Sequence, residues 1–179
     1  NLEELTLNVA DRQVAEGEEF EVKFQTADFK NIFGYQFTLK FDEKAIEFIT
    51  FGEQSINNLS EGNFGLTKLD EGIITTSWDN AKNSNNNSST NSTLFTLVFK
   101  AKNSALLSEL LTINSRYTQA EAYRTISENA SAELLDINLV FHQATGIVET
   151  ATSLTLDQNK PNPFNQTTRI GFYFPKAGN

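Results

Sequence analysis

What most constrains this chain is the alternation of apolar and polar side chains along its first 141 residues. Phe20, Val22 and Phe24 alternate with Glu21, Lys23 and Gln25, and Tyr35, Phe37, Leu39 and Phe41 alternate with Gln36, Thr38 and Lys40. Successive side chains of a strand point to opposite faces, so a period of two means a strand with one buried side. Gly34 punctuates the start of the second of these. A short apolar run, Ile46 to Phe51, follows the Asp42-Glu43-Lys44 turn and reads as a strand covered on both faces. Further strands are expected at Leu5 to Val9, Phe64 to Leu69, Ile73 to Trp78, Leu94 to Lys100, Leu111 to Ile113, Ala122 to Ile126 and Leu135 to Phe141. Ala105 to Leu111 reads as a turn or short helix. Many short strands with almost no helix between them predict an all-β fold, a two-sheet sandwich or barrel of about nine strands.

Composition narrows what such a fold can do. Phe supplies 15 of the aromatic residues against 4 Tyr and 1 Trp, which predicts a dry core needing few polar partners. With no cysteine there is no disulfide framework, thiolate zinc site or cysteine nucleophile. The formal charge of -9 argues against a nucleic-acid partner, whose phosphates call for clustered Lys and Arg. No apolar run approaches the ~20 residues of a membrane-spanning helix, so no direct membrane insertion is expected. The chain begins at Asn1 and has no Met, and the expectation is a processed product or a piece of a longer protein. Residues 1–71 hold 15 acidic and 6 basic groups, whereas residues 72–179 hold 8 of each. That excess reads as a solvated face, with a cation-attracting or partner-facing surface as the alternative.

Proline marks the organisation. Pro161, Pro163 and Pro175 are the only prolines, which suggests a second module near the end of the chain. The expected division is a sandwich over residues 1–144, a linker over 145–153 and a further module from 154 to 179. Asn80 to Asn91 is dominated by Asn, Ser and Thr, cannot bury apolar surface, and is expected to form a mobile loop. Asn-x-Ser/Thr triplets occur at Asn58, Asn86, Asn87, Asn91, Asn129 and Asn165, as glycosylation acceptors or as chance matches in an Asn-rich chain.

Two resemblances extend this reading. Gly17-Glu18-Glu19-Phe20-Glu21-Val22, then Phe33-Gly34-Tyr35-Gln36-Phe37 into Leu39-Lys40-Phe41-Asp42, then Ala45-Ile46-Glu47-Phe48 open the first. Gly72-Ile73-Ile74 and Thr93 to Ala101 follow. From residue 4 to about 141 the chain resembles a cohesin-type domain. The resemblance implies a jelly-roll, immunoglobulin-like sandwich related to carbohydrate-binding modules, which grips a dockerin partner in extracellular polysaccharide-degrading assemblies and carries out no chemistry.

The second lies in Leu154 to Asn165 (Gln158-Asn159-Lys160-Pro161-Asn162-Pro163-Phe164-Asn165), followed by Thr168-Arg169-Ile170-Gly171-Phe172 and Phe174-Pro175-Lys176-Ala177-Gly178. Residues 154–179 resemble the opening of the type A C-terminal sorting domain of type 9 secretion cargo in Bacteroidetes-like bacteria, a small β domain that here stops after its first strand. This implies recognition of Gln158, Asn159, Pro161, Asn162, Pro163, Phe164 and Asn165 by the outer-membrane translocon channel and the shuttle protein, and a secreted or surface-anchored product. The residues themselves make a stiff peptide. Pro161 and Pro163 fix φ and bias Lys160 and Asn162 toward extended backbone, and Phe164 offers one large apolar side chain. An interdomain spacer is the alternative reading.

Candidates for chemistry carry less weight. His142, the only histidine, would have to be the base of any Ser-His-Asp arrangement, and reads instead as an exposed residue at a strand end. Glu47, Asp70 and Asp79 are carboxylates that glycoside hydrolysis could use, with no feature singling them out. Asp42-Glu43 and Asp70-Glu71 lack the spacing of a calcium loop and read as solvated turns. No metal or cofactor is expected. Trp78, followed by Asp79 and Asn80, is a candidate for stacking on a sugar whose hydroxyls the two polar residues would bond; the alternative is a core or rim tryptophan.

Overall fold

In the computed structural model, the structure describes residues 3–80, 92–125 and 132–143, together with the backbone of 155–156, 160–165, 167–169 and 172–173. The strands of the first unit are β1 (Glu3–Asp11), β2 (Gln13–Val14), β3 (Glu19–Thr26), β4 (Ile32–Phe41), β5 (Ile46–Gln54), β6 (Phe64–Lys68), β7 (Ile73–Asp79), β8 (Ser92–Ala101), β9 (Ala105–Leu106), β10 (Leu111–Asn114), β11 (Glu121–Thr125) and β12 (Ala132–Gln143). Each expected strand has a counterpart among the described residues, but β5 lies at the end of the sheet with Ile49 40 % exposed and is not covered on both faces, because it has a neighbour on one side only. Ala105 to Leu111 divides into the short strand β9, a 3-10 turn over Leu107–Glu109 and the start of β10.

One hydrogen-bonded sheet runs in the order β5-β8-β3-β1-β12-β11-β4-β7-β6 and curls over to make both layers of a jelly-roll sandwich. β10 and β11 lie on the same side of β4. β10 pairs with residues 38 to 41 of β4 and β11 with residues 32 to 36, so ten strands occupy nine positions. The parallel pairing of β1 with β12 joins the two layers, while the β2–β9 ribbon stands apart from the main sheet.

The inward side chains follow the alternation. Phe20, Val22 and Phe24 of β3 face Tyr35, Phe37, Leu39 and Phe41 of β4 and Phe95, Leu97 and Phe99 of β8 in one core. Rings link through it. Phe95 stacks on Phe24 at 4.7 Å between centroids and meets Phe64 edge-on at 5.2 Å, and Trp78 lies 5.5 Å from both Phe29 and Tyr35. Each buried Phe side chain stabilises the fold by roughly 1.5–3 kcal/mol relative to exposure. The core is not wholly apolar. The hydroxyls of Tyr35, Thr76 and Thr96 are enclosed without a well-formed hydrogen bond among the described residues, and burial pushes the Tyr35 phenol well above its ordinary range, offset in part by the Thr76 hydroxyl.

Compactness divides the chain into residues 1–143 and 144–179. In the second unit β13 (Thr155–Leu156) pairs with β16 (Phe172–Tyr173), and β14 (Lys160–Asn165) with β15 (Thr167–Arg169). Gln158 and Asn159 lie outside the described residues. So does most of the Asn-rich loop, from 81 to 91.

Candidate functional site

The outward face of β4 carries an apolar depression with aromatic walls. Register fixes its membership. Gly34, Gln36 and Thr38 of β4 stand opposite Asp79, Ser77 and Thr75 of β7, and Tyr123 and Glu121 of β11 pair with Gly34 and Gln36. Because inward residues alternate with these, all of them point away from the core. A bulge sets the aromatic wall. Tyr123 pairs with Gly34 but Arg124 pairs with Ile32, so Phe33 has no opposite residue, and its ring meets Tyr123 at 6.1 Å between centroids.

Gly34 therefore lies inside β4, not at its start, and its missing side chain makes the floor. A Cβ there would come 3.4 Å from the Trp78 carbonyl oxygen and 3.5 Å from Cδ2 of Tyr123. The resulting cavity is about 380 Å³, lined by Phe33, Gly34, Gln36, Ser77, Asp79 and Tyr123 among others. Leu134 of β12 pairs with Tyr123 and is 39 % exposed, extending the apolar strip beyond the cavity.

Its polar groups are partly committed. Oε1 of Glu121 accepts from Gln36 Nε2 at 2.8 Å and from the Tyr123 hydroxyl, and that second bond to a carboxylate holds the Tyr123 phenol above its ordinary range. Asp79 is exposed and makes no side-chain hydrogen bond or ion pair among the described residues. The nearest arginine on β11, Arg124, is taken by Glu133 at 3.0 Å and by Glu3.

The other end of the same face is covered. Residues 115–120, between β10 and β11, fold across β4. The backbone N–H groups of Tyr117 and Thr118 donate to Thr38 Oγ1 at 3.2 and 3.0 Å, which leaves Thr38 buried although it points outward. At its tip the Tyr117 hydroxyl donates to Glu71 Oε2 at 2.9 Å, and Lys68 donates to Glu71 Oε1 at 2.7 Å while lying 4.9 Å over the Tyr117 ring. Bonds from Lys68, then from Tyr117, hold the Glu71 carboxyl below the usual carboxylate range.

The residues singled out by sequence are scattered by the fold. Trp78 is 2 % exposed and its Nε1 donates to the Asn57 carbonyl at 2.9 Å, which corrects the reading of its ring as a sugar platform: no face of it is presented to solvent. Asn80 is also buried, its backbone N–H bonded to Phe33 O at 2.7 Å and its Oδ1 to Asn58 Nδ2 at 2.8 Å. That bond engages the nitrogen a glycan on Asn58 would need. Of the three, only Asp79 reaches the outward face. His142 is exposed and lies 2.6 Å from Asn8 Oδ1. Among the described residues no group of His and carboxylates is placed to hold a metal ion. The residues that sequence reasoning missed are Phe33, Tyr123 and Leu134; a glycine inside an alternating strand was the available signal, since it marks a bulge or a close approach.

Comparison with known proteins gives a consistent picture. The cohesin domain profile matches residues 5–133. The seventh ScaB type I cohesin of Pseudobacteroides cellulosolvens superposes with a TM-score of 0.59 at 13% identity, over 82% of this chain and 97% of that one. The sixth cohesin of Acetivibrio cellulolyticus scaffoldin B, solved with a Cel5 dockerin, gives 0.56 at 19% identity, over 78% and 99% of the two chains. A Clostridium thermocellum complex, Coh-OlpC with Doc435, gives 0.54 at 15% identity, over 79% and 95%. No curated protein matches.

Proposed function

This chain belongs to the cohesin domain family, and on that premise we propose that residues 3–143 form a noncatalytic module that binds a dockerin. The contact surface is the open end of the outward face, around Gly34, Ser77, Asp79, Tyr123 and Leu134. The observation that carries this is the aromatic-walled cavity on a hydrogen-bonded sheet, next to an exposed leucine. Exposed apolar surface rimmed by polar groups suits a protein partner, and strands hold such a surface with little entropy left to lose on binding.

The test is calorimetric titration of the protein with single dockerin domains, including Doc435, the Cel5 dockerin and dockerins encoded with this chain. At least one binds saturably, and Ser77→Arg together with Leu134→Glu abolishes binding while leaving the melting temperature near its starting value. Failure of every dockerin to bind, or a binder indifferent to both substitutions, refutes the proposal.

Residues 154–179 have a separate role, as the export signal read by the type 9 translocon channel and the outer-membrane shuttle, which makes the domain a cell-surface cargo. Its support is the Gln158-Asn159-Lys160-Pro161-Asn162-Pro163-Phe164-Asn165 pattern. Deleting Pro161 to Asn165 from the full-length cargo leaves the sandwich folded and the product inside the cell. Normal surface display of that deletion removes this role.

A further inference from the structure

The cavity over Gly34 is mostly apolar yet bears an exposed carboxylate with no partner among the described residues. Among the described residues Asp79 makes no ion pair and no cation lines the cavity, and Arg124 is already held by Glu133 and Glu3. Glu121, which pairs with the lining residue Gln36, accepts both of its bonds at Oε1, so Oε2 takes no hydrogen bond among the described residues. In solvent these charges cost little. A partner that covers the cavity strips water from Asp79, and a carboxylate buried without a cation is strongly destabilising. An aliphatic anchor would impose that penalty; a cationic one would remove it.

The walls narrow the choice of cation. The Phe33 and Tyr123 rings, 6.1 Å apart and inclined at 33°, offer aromatic faces beside the carboxylates. A planar guanidinium stacks on such faces and presents a fork of donors to a carboxylate, whereas an ammonium is a compact, strongly hydrated point charge. Gly34 supplies the depth, since any larger residue would put carbon where the guanidinium plane would rest.

We propose that the cavity over Gly34 is a subsite for an arginine side chain of the partner, with Asp79 and Glu121 as counter-charges and Phe33 and Tyr123 as stacking surfaces. The partner's identity as a dockerin rests on the reading above; the preference for a guanidinium does not.

Two measurements separate these claims. In the first, isotope-labelled protein is titrated with Nα-acetyl-arginine amide, and with Nα-acetyl-leucine amide as the apolar control. Saturable amide shifts at Gly34, Gln36 and Asp79 are expected with the arginine compound alone, and they disappear in Asp79→Asn and in Gly34→Ala. The second substitution adds only ordinary van der Waals contacts, so the fold is retained. Shifts of equal size with leucine amide, or none with arginine amide, overturn the subsite.

The second measurement uses the tightest dockerin found by calorimetry. Replacing its contacting arginine by Ala weakens binding at least about tenfold in wild-type protein, equivalent to about 1.4 kcal/mol, and by much less in Asp79→Asn. If dockerins bind but no arginine substitution depends on Asp79, the subsite is overturned and the module keeps its function. If no dockerin binds while arginine amide still shifts Gly34, the subsite stands and the partner is of another class.

Discussion

Gly72 and Gly17 both have positive φ, at +68° and +80°, but differ in what surrounds them. A Cβ on Gly17 would meet nothing within 4 Å, whereas one on Gly72 would run into the Phe41 carbonyl oxygen, and into Lys40 Nζ and Glu43 Oε2. The two side chains can swing aside. The Phe41 carbonyl cannot, because Phe41 N–H donates to the Gly72 carbonyl at 2.8 Å and locks the two backbones together where β7 begins. Alanine at a left-handed position costs about 1–2 kcal/mol, so Gly17→Ala is expected to lose about 1 kcal/mol. Gly72→Ala loses the same and must also open or bend the Phe41–Gly72 contact. A lost hydrogen bond of about 1 kcal/mol with a similar amount of angle strain brings its total to about 3 kcal/mol. Urea unfolding followed by tryptophan fluorescence reports the difference, since Trp78 is buried. With a slope of about 2 kcal/mol per molar urea, the midpoint falls by about 0.5 M for Gly17→Ala and by about 1.5 M for Gly72→Ala at unchanged slope. Equal losses in the two variants would mean that φ alone sets the cost and that the crowding at Gly72 is relieved without penalty.

Three further outcomes are expected. Tyr35→Phe deletes a buried hydroxyl with no well-formed hydrogen bond among the described residues and leaves the ring contacts with Trp78 and Phe37, so thermal unfolding should show a gain of up to about 1 kcal/mol; any loss would show that the Thr76 hydroxyl is an effective partner. Phe95→Ala removes the ring that stacks on Phe24 and meets Phe64, and chemical denaturation should register about 3–5 kcal/mol of destabilisation, against well under 1 kcal/mol for a change at exposed Glu53. The segment 115–120 should loosen in acid. Glu71 has a depressed folded-state pKa, so its contribution is complete above the ordinary carboxylate range and is lost as pH falls through the lower folded value. The protection factors of the Tyr117 and Thr118 amides, taken against the unfolded-chain rate at each pH, should fall over that acid range in wild type and be low at neutral pH already in Glu71→Gln.

Strand positions were legible because burial on one face forces a period of two, and no turn chemistry is needed to see it in Phe20 to Gln25 or Tyr35 to Phe41. The start of β4 was misjudged for a reason the same physics explains. Gly34 was read as punctuation, but Ile32 and Phe33 continue the strand, and the bulge opposite Arg124 hides their alternation. Trp78 illustrates the converse. It sits on an alternating strand whose inward residues are Ile74, Thr76 and Trp78, and the same period that placed the strand also sent the ring into the core. Asp79 was named with it as a ligand contact and is the one member of that trio on the outer surface.

The amino-acid order alone determined that this chain makes a phenylalanine-filled sandwich, because alternation and a shortage of polar core residues are local properties written along each strand. It also carried the motifs by which the sandwich resembles the cohesin family. Only the tertiary structure brought the cavity residues together. The cavity is assembled from residues 33–36, 77–79 and 123, which become neighbours through pairing of β4 with β7 and β11. Its depth comes from a side chain that Gly34 lacks, and the other half of the same face is closed by 115–120 reaching across to Glu71. Register and crossing segments are long-range outcomes of packing, and no window of adjacent residues contains them.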